Sequence, residues 1–297
     1  MAAIRPRRSV LYMPATNARA IEKARTLAVD GLILDLEDAV APEAKDAARE
    51  AARAALEAGG FGGREVVIRI NGLDTPWGEA DLAAAAGAAP DAVLVPKVFS
   101  PDEIVAVGSR LRRHGAPERT RVWAMVETPL AVLRIDALAS AARDVDSRLA
   151  CLVMGTNDLA KEMRVATGGG RAPLLPALAM AVTAARAHGI EALDGVYNAH
   201  GDAAGLVAGL VAECRQGRDF GFDGKTLIHP SQVAAANAAF APTDAELADA
   251  RAILAAFAQP QNRGRGVIAL DGRMVERMHA ESAARTVALA EAIGGRG

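Results

Sequence analysis

The chain has 297 residues, 51% of them apolar, and a formal net charge of −2 at pH 7. That balance suits a folded protein with a well-buried core, and it offers no field for drawing in nucleic acid. No basic patch is interleaved with the scarce aromatics, and no apolar run reaches the roughly eighteen residues that a membrane helix needs. Arg5, Arg7 and Arg8 are not followed by the apolar segment of a secretory signal. Cys151 and Cys214 lack metal-type spacing and read as reduced core residues, so the expected compartment is cytoplasmic.

Along the chain, short apolar runs alternate with alanine-rich amphipathic stretches. The predicted strands are Ser9–Met13, Leu32–Leu36, Val66–Asn71, Ala92–Val98, Val122–Glu127, Leu149–Gly155, Ile190–Val196 and Lys225–Ile228. Most are continuously apolar rather than alternating, as parallel strands covered on both faces are. Between the second and third, Pro42–Glu57 reads as a helix. Ser100-Pro101-Asp102-Glu103 and Thr243-Asp244-Ala245-Glu246 are capping boxes, and Thr128-Pro129 is a cap followed by a first-turn proline. Gly189 reads as a helix stop, and Gly168-Gly169-Gly170 as a loop without chemistry.

Eight strands separated by helices predict a (β/α)8 TIM barrel, with a doubly wound open sheet as the competing arrangement. The barrel is expected over residues 1–240. Residues 241–297 form a C-terminal helical extension or lid, with a last helix from about Met274 to Ile293, able to reach a neighbouring subunit's site.

In a barrel, chemistry gathers at the C-terminal strand ends. There the sequence places Asp35, Glu37 and Asp38, then Arg69 and Asn71, Lys97, Glu127, Asn157 and Asp158, and finally His229. Charged groups at the ends of apolar strands are costly to desolvate unless they are paired or hold a metal. Glu127 and Asp158, with no His or Cys beside them, suit a hard cation with oxygen ligands. Equally, one would cap a helix and the other pair with Lys97 or Arg69. Arg69 suits a carboxylate or a developing enolate, or else a salt bridge to Asp35 or Glu37. Lys45 and Lys97 are candidate phosphate or thioester contacts, against the plainer reading of surface lysines. No nucleophile elbow, Walker loop or dinucleotide-binding glycine pattern is present.

The ordered set of Arg8–Pro14, Leu34–Val40 with Lys45 following, Ile68–Asn71, Val95–Lys97, Val126–Pro129, Gly155–Leu159, Gly221–Lys225 and Ile228–Pro230 resembles the citrate lyase beta-subunit-like family. That family lies within the HpcH/HpaI aldolase/citrate lyase superfamily and includes malyl-CoA lyases. The resemblance implies a Mg2+-dependent CoA-ester lyase, with Mn2+ as an alternative metal, acting on an acyl-CoA thioester and an oxoacid. It implies metal ligation by Glu127 and Asp158 and oxoacid binding with enolate stabilisation by Arg69. Arg8 and Lys45 would help bind the CoA substrate at the barrel mouth, Asp35, Glu37 and Asp38 would support the site from behind, and the assembly would be a homotrimer or hexamer. Glu276 stands where several members carry a catalytic aspartate on a lid segment, and as an acid/base group it would be longer by one methylene. This departure keeps a thioesterase on malyl-CoA-type thioesters open beside the lyase. A third reading is a non-catalytic acyl-CoA-binding paralogue or a subunit of a citrate lyase complex.

Overall fold

The computed structural model describes residues 4–166, 170–201 and 203–295. Gly168 and Gly169 of the predicted glycine loop lie outside the described residues. Eight parallel strands close into a barrel: β1 (Ser9–Pro14), β2 (Gly31–Asp35), β3 (Glu65–Arg69), β4 (Ala92–Val95), β5 (Arg121–Val126), β6 (Leu149–Met154), β7 (Glu191–Asp194) and β8 (Gly224–Leu227). Each pairs with the next, and β1 closes on β8 through Ser9 opposite Lys225 and Leu11 opposite Leu227. The open-sheet alternative is thereby excluded.

The strands are buried almost end to end, which explains their continuous apolar sequence: outward side chains meet helices and inward ones meet each other. Val10, Ile33, Val67, Leu94, Trp123, Cys151, Val153 and Leu193 fill the barrel interior. At its N-terminal end Arg7 plugs the interior, 2.6 Å from Glu65 and 2.6 Å from Glu191, with its guanidinium 5.0 Å above the Trp123 ring. Cys151 and Cys214 are both free and buried.

The helices of this part are α1 (Ala18–Ala24), α2 (Lys45–Ala58), α3 (Gly78–Ala88), α4 (Pro101–Arg113), α5 (Pro129–Leu133), α6 (Ile135–Ser140), α7 (Thr156–Met163), α8 (Leu175–Ala187), α9 (Ala204–Phe220) and α10 (Val233–Phe240). Their starts follow the local chemistry. Ser100 and Glu103 form a reciprocal capping box on α4, and the Thr128 hydroxyl accepts from the Ala131 N–H at the start of α5. After α8, Gly189 takes φ +67°, the left-handed stop read from the sequence.

Among the described residues, Arg7–Ala239 form one compact unit, and those from Phe240 on, with those before Arg7, form a second. In the second unit α11 (Asp244–Ala258), capped by the Thr243–Glu246 box, packs with α12 (Arg277–Gly294) around Ala250, Ile253, Ile268, Val275 and Ala283. The last helix does not begin at Met274, as the sequence predicted. Met274–Glu276 belong instead to β10 (Arg273–Glu276), antiparallel to β9 (Val267–Leu270). The signal was the Asp271-Gly272 dipeptide: both residues have positive φ, +50° and +77°, as a tight hairpin turn requires. Among the described residues no helix is long and apolar enough to cross a membrane.

Candidate functional site

At the C-terminal mouth of the barrel a cavity of about 320 Å³ opens between the ends of β1, β2, β3, β5, β6 and β8. Tyr12, Arg69, Met125, Met154, Asp158 and Ile228 are among its lining residues. Arg69 ends β3 with its side chain inward and only 7% exposed. Asp35, at the end of β2, grips it with both oxygens: Nε to Oδ1 at 2.7 Å and Nη2 to Oδ2 at 2.6 Å. Its Nη1 lies 2.9 Å from Glu37 Oε2 and 3.3 Å from Asp38 Oδ2. The salt bridge expected as the plain alternative for Arg69 therefore exists, and it aims the guanidinium along the cavity wall. Burial works against its charge, but Asp35 and its other neighbours more than offset this, so it stays protonated.

Glu127 follows β5 directly and is 1% exposed. Its Oε1 accepts the backbone N–H of Lys97 at 2.7 Å, while its Oε2 is buried with no hydrogen-bond partner. Lys97 adopts φ +56°, a strained conformation for a residue with a Cβ, and this turns its N–H toward the carboxylate. The Lys97 ammonium reaches Glu37 Oε1 at 3.2 Å, so one residue ties the two acids together. Burial, then the charges of Glu37 and Asp158, push the Glu127 carboxyl up to about 8, against the pull of the Lys97 N–H and Arg69. Burial raises Glu37 too; Arg69 pulls it back and Asp38 adds to the rise.

Asp158 lies in the first turn of α7, whose N-cap, Gly155, supplies no side-chain hydrogen bond. Gly155 fits the Glu127 side chain closely: a Cβ there would stand 2.4 Å from Glu127 Cβ and 2.7 Å from Oε2. An unpartnered buried carboxylate oxygen is a costly feature, and a second carboxylate whose charge reaches it adds to the cost. A divalent cation taking oxygen ligands would relieve both, so the residues present fit such an ion. Behind them Lys45 spends its three N–H groups on the carbonyls of Leu36 (2.8 Å) and Glu37 (2.7 Å) and on Asn71 Oδ1 (2.9 Å). It therefore braces the loop that carries Glu37 and Asp38, in place of the substrate contact expected of it.

Arg8 is not at this site. It precedes β1, at the opposite end of the barrel, and forks onto Asp30 at 2.8 and 2.9 Å. The predicted strand starting at Ser9 already puts Arg8 and Pro14 at opposite ends; the substrate contact came from the shared motif alone. Glu276 belongs to the second unit, at the N-cap position of α12, where its N–H meets His279 Nδ1 at 2.9 Å. His229 is spent locally, with Nδ1 2.8 Å from Ser231 Oγ and its ring stacked 4.7 Å from His200.

The sequence also passed over two features. Tyr12, in the β1 motif, turns inward by alternation with Val10, and its ring lies under the Arg69 guanidinium at 5.0 Å. The end of β7 carries Asp194, fully buried, which accepts from Arg171 (2.6 and 2.9 Å) and Lys225 (2.9 Å); Glu213 of α9 meets Lys225 at 2.7 Å. This cluster clamps α9 to β7 and β8 outside the barrel.

A model of the HpcH/HpaI aldolase/citrate lyase family matches residues 8–230. The chain belongs to that family. A (3S)-malyl-CoA thioesterase of Cereibacter sphaeroides is 46% identical over 292 residues, covering 98% of this chain and 97% of that protein. The citrate lyase subunit beta of Escherichia coli is 32% identical over 277 residues, covering 92% of this chain and 89% of that protein. Among solved structures, CitE of Mycobacterium tuberculosis in complex with magnesium, acetoacetate and coenzyme A superposes with a TM-score of 0.73. It is 31% identical and the match covers 97% of this chain and 99% of that one.

Proposed function

We propose that this member of the family is a Mg2+-dependent thioesterase that hydrolyses a malyl-type acyl-CoA to the free hydroxy acid and CoA. The observation that carries the reaction type is the 46% identity, over nearly the whole of both chains, to a (3S)-malyl-CoA thioesterase. The unpartnered Glu127 oxygen beside Asp158 supports the metal, Mg2+ with Mn2+ as the alternative. These two residues would hold the ion, which when bound supplies positive charge for orienting the substrate's oxygens.

The chain's own groups do the rest. Arg69, locked by Asp35 and Glu37, presents a fixed cation to a substrate carboxylate or to charge developing on the acyl group. The N-terminus of α7 brings backbone N–H groups with no side-chain cap to the same cavity, where they favour an anionic group. Glu37, joined to both Arg69 and Lys97, keeps the cationic side of the site at a fixed spacing from Glu127.

A carbon–carbon lyase on the same thioesters is the second reading, favoured by the likeness to citrate lyase subunit beta. The presence of Arg69, Glu127 and Asp158 together counts against a non-catalytic paralogue. A homotrimer or hexamer acting in the cytoplasm is part of the same proposal. Chelation tests its metal-dependent core: EDTA should abolish turnover of (3S)-malyl-CoA, and added Mg2+ should restore it. Activity untouched by EDTA would contradict the reading.

A further inference from the structure

Whether a thioester is hydrolysed or its acyl chain is cleaved between carbons, negative charge builds on the acyl oxygen. Hydrolysis places it there as water adds to the carbonyl carbon, before the C–S bond breaks and the thiolate takes a proton. Carbon–carbon cleavage places it there as the bonding pair moves into the enolate. Either route is helped by a hydrogen-bond donor fixed in advance at that oxygen.

Most side-chain donors around the cavity are already committed. Arg69 directs Nε and Nη2 to Asp35 and Nη1 to Asp38, with Glu37 Oε2 at ion-pair distance. The Asn157 amide is paired with Asn198 at 3.0 Å, and the Thr226 hydroxyl donates to the Asp194 carbonyl at 3.1 Å. The Thr156 hydroxyl makes no hydrogen bond among the described residues, but it is turned against Gly195, where a Cβ would lie 2.4 Å from it. The Tyr12 hydroxyl makes no hydrogen bond among the described residues, and Tyr12 lines the cavity. Its ring is held against the β-barrel core on one side and by the Arg69 guanidinium, 5.0 Å from its centroid, on the other.

Resting on the thioester reading above, we propose that the Tyr12 hydroxyl is a catalytic hydrogen-bond donor to the acyl oxygen of the substrate, acting beside Arg69. Burial, together with the charges of Asp35, Glu127 and Glu37, pushes the phenol well above its ordinary range despite Arg69, so it remains a donor at neutral pH. A donor of this kind contributes mainly to the transition state, where the oxygen carries charge, and little to ground-state binding.

The test is steady-state kinetics of wild type and Tyr12→Phe on (3S)-malyl-CoA with Mg2+, alongside their melting temperatures. Tyr12→Phe keeps the ring under Arg69 and removes only the hydroxyl. The expected result is a fall in kcat of about 100-fold, with KM changed by less than about threefold and the Mg2+-induced rise in melting temperature retained. A variant that folds and keeps kcat within about threefold of wild type overturns the inference alone. A wild type that turns over no malyl-CoA overturns the thioester reading and this inference with it. If Tyr12→Phe unfolds, uniform 3-fluorotyrosine labelling serves instead: with two tyrosines in the chain, a Tyr197→Phe background isolates Tyr12. A kcat unmoved by that change in phenol acidity overturns the inference; a shifted kcat at constant KM supports it.

Discussion

A single carboxylate sets the terms of this site. Glu127 is buried, half-satisfied by the Lys97 N–H, and left with one oxygen facing no donor, so without a cation it titrates at about 8. The sign of the linkage follows. A carboxyl raised above its unfolded value binds a proton in the folded state that the unfolded chain has already lost. Its stabilising contribution is therefore full at acidic pH and is lost as pH rises from the ordinary carboxylate range to about 8. A divalent cation must displace that proton. Calorimetric titration with Mg2+ should accordingly show affinity rising with pH up to about 8 and levelling beyond it, with a proton released per ion at neutral pH. Glu127→Gln should bind Mg2+ weakly at every pH; binding that is flat with pH in the wild type would contradict the assignment.

At the scale of elements, the site is a register problem. β5 and β6 pair so that Val126 lies opposite Met154, which sets Glu127 and Gly155 side by side just beyond the strands. Gly155→Ala would place a methyl where Glu127 already sits, 2.4 Å from its Cβ. The Glu127 Cβ is bonded to its own backbone and cannot rotate away, so the residue and its carboxylate must move. We expect a folded variant whose melting temperature no longer rises with Mg2+ and whose turnover falls by at least about tenfold. Normal Mg2+ stabilisation in that variant would show that the close fit is immaterial.

The strands themselves were legible because each is an uninterrupted apolar run bounded by turn or capping residues, and their ends fall within a residue or two of those expected, except that β4 ends three residues early. Arg69, Glu127 and Asp158 were legible because a charge at the end of such a run needs a reason. What escaped depends on partners distant in sequence. Lys45 looks like a surface lysine until Leu36, Glu37 and Asn71 surround it. Asp194 needs Arg171 and Lys225, 23 and 31 residues away, to explain its burial. The β9–β10 hairpin escaped because Met274–Glu276 continue smoothly into a helical pattern, although Asp271-Gly272 marked the turn.

At the scale of the molecule, the barrel segregates its tasks. The N-terminal end is closed by Arg7, Glu65 and Glu191, and Arg8 is consumed there by Asp30, so ionic groups at that end hold the fold together. The C-terminal end carries the cavity, a buried acid with an unpartnered oxygen, and a cation fixed by three carboxylates. This division is common to barrels whose chemistry sits on one face, the C-terminal one. The most direct test is a product assay of the purified protein with (3S)-malyl-CoA and Mg2+, following free CoA thiol, malate and glyoxylate separately. Hydrolysis would give thiol and malate in equal amounts with no glyoxylate. Glyoxylate formed together with acetyl-CoA, without free thiol, would contradict hydrolysis and make the chain a carbon–carbon lyase.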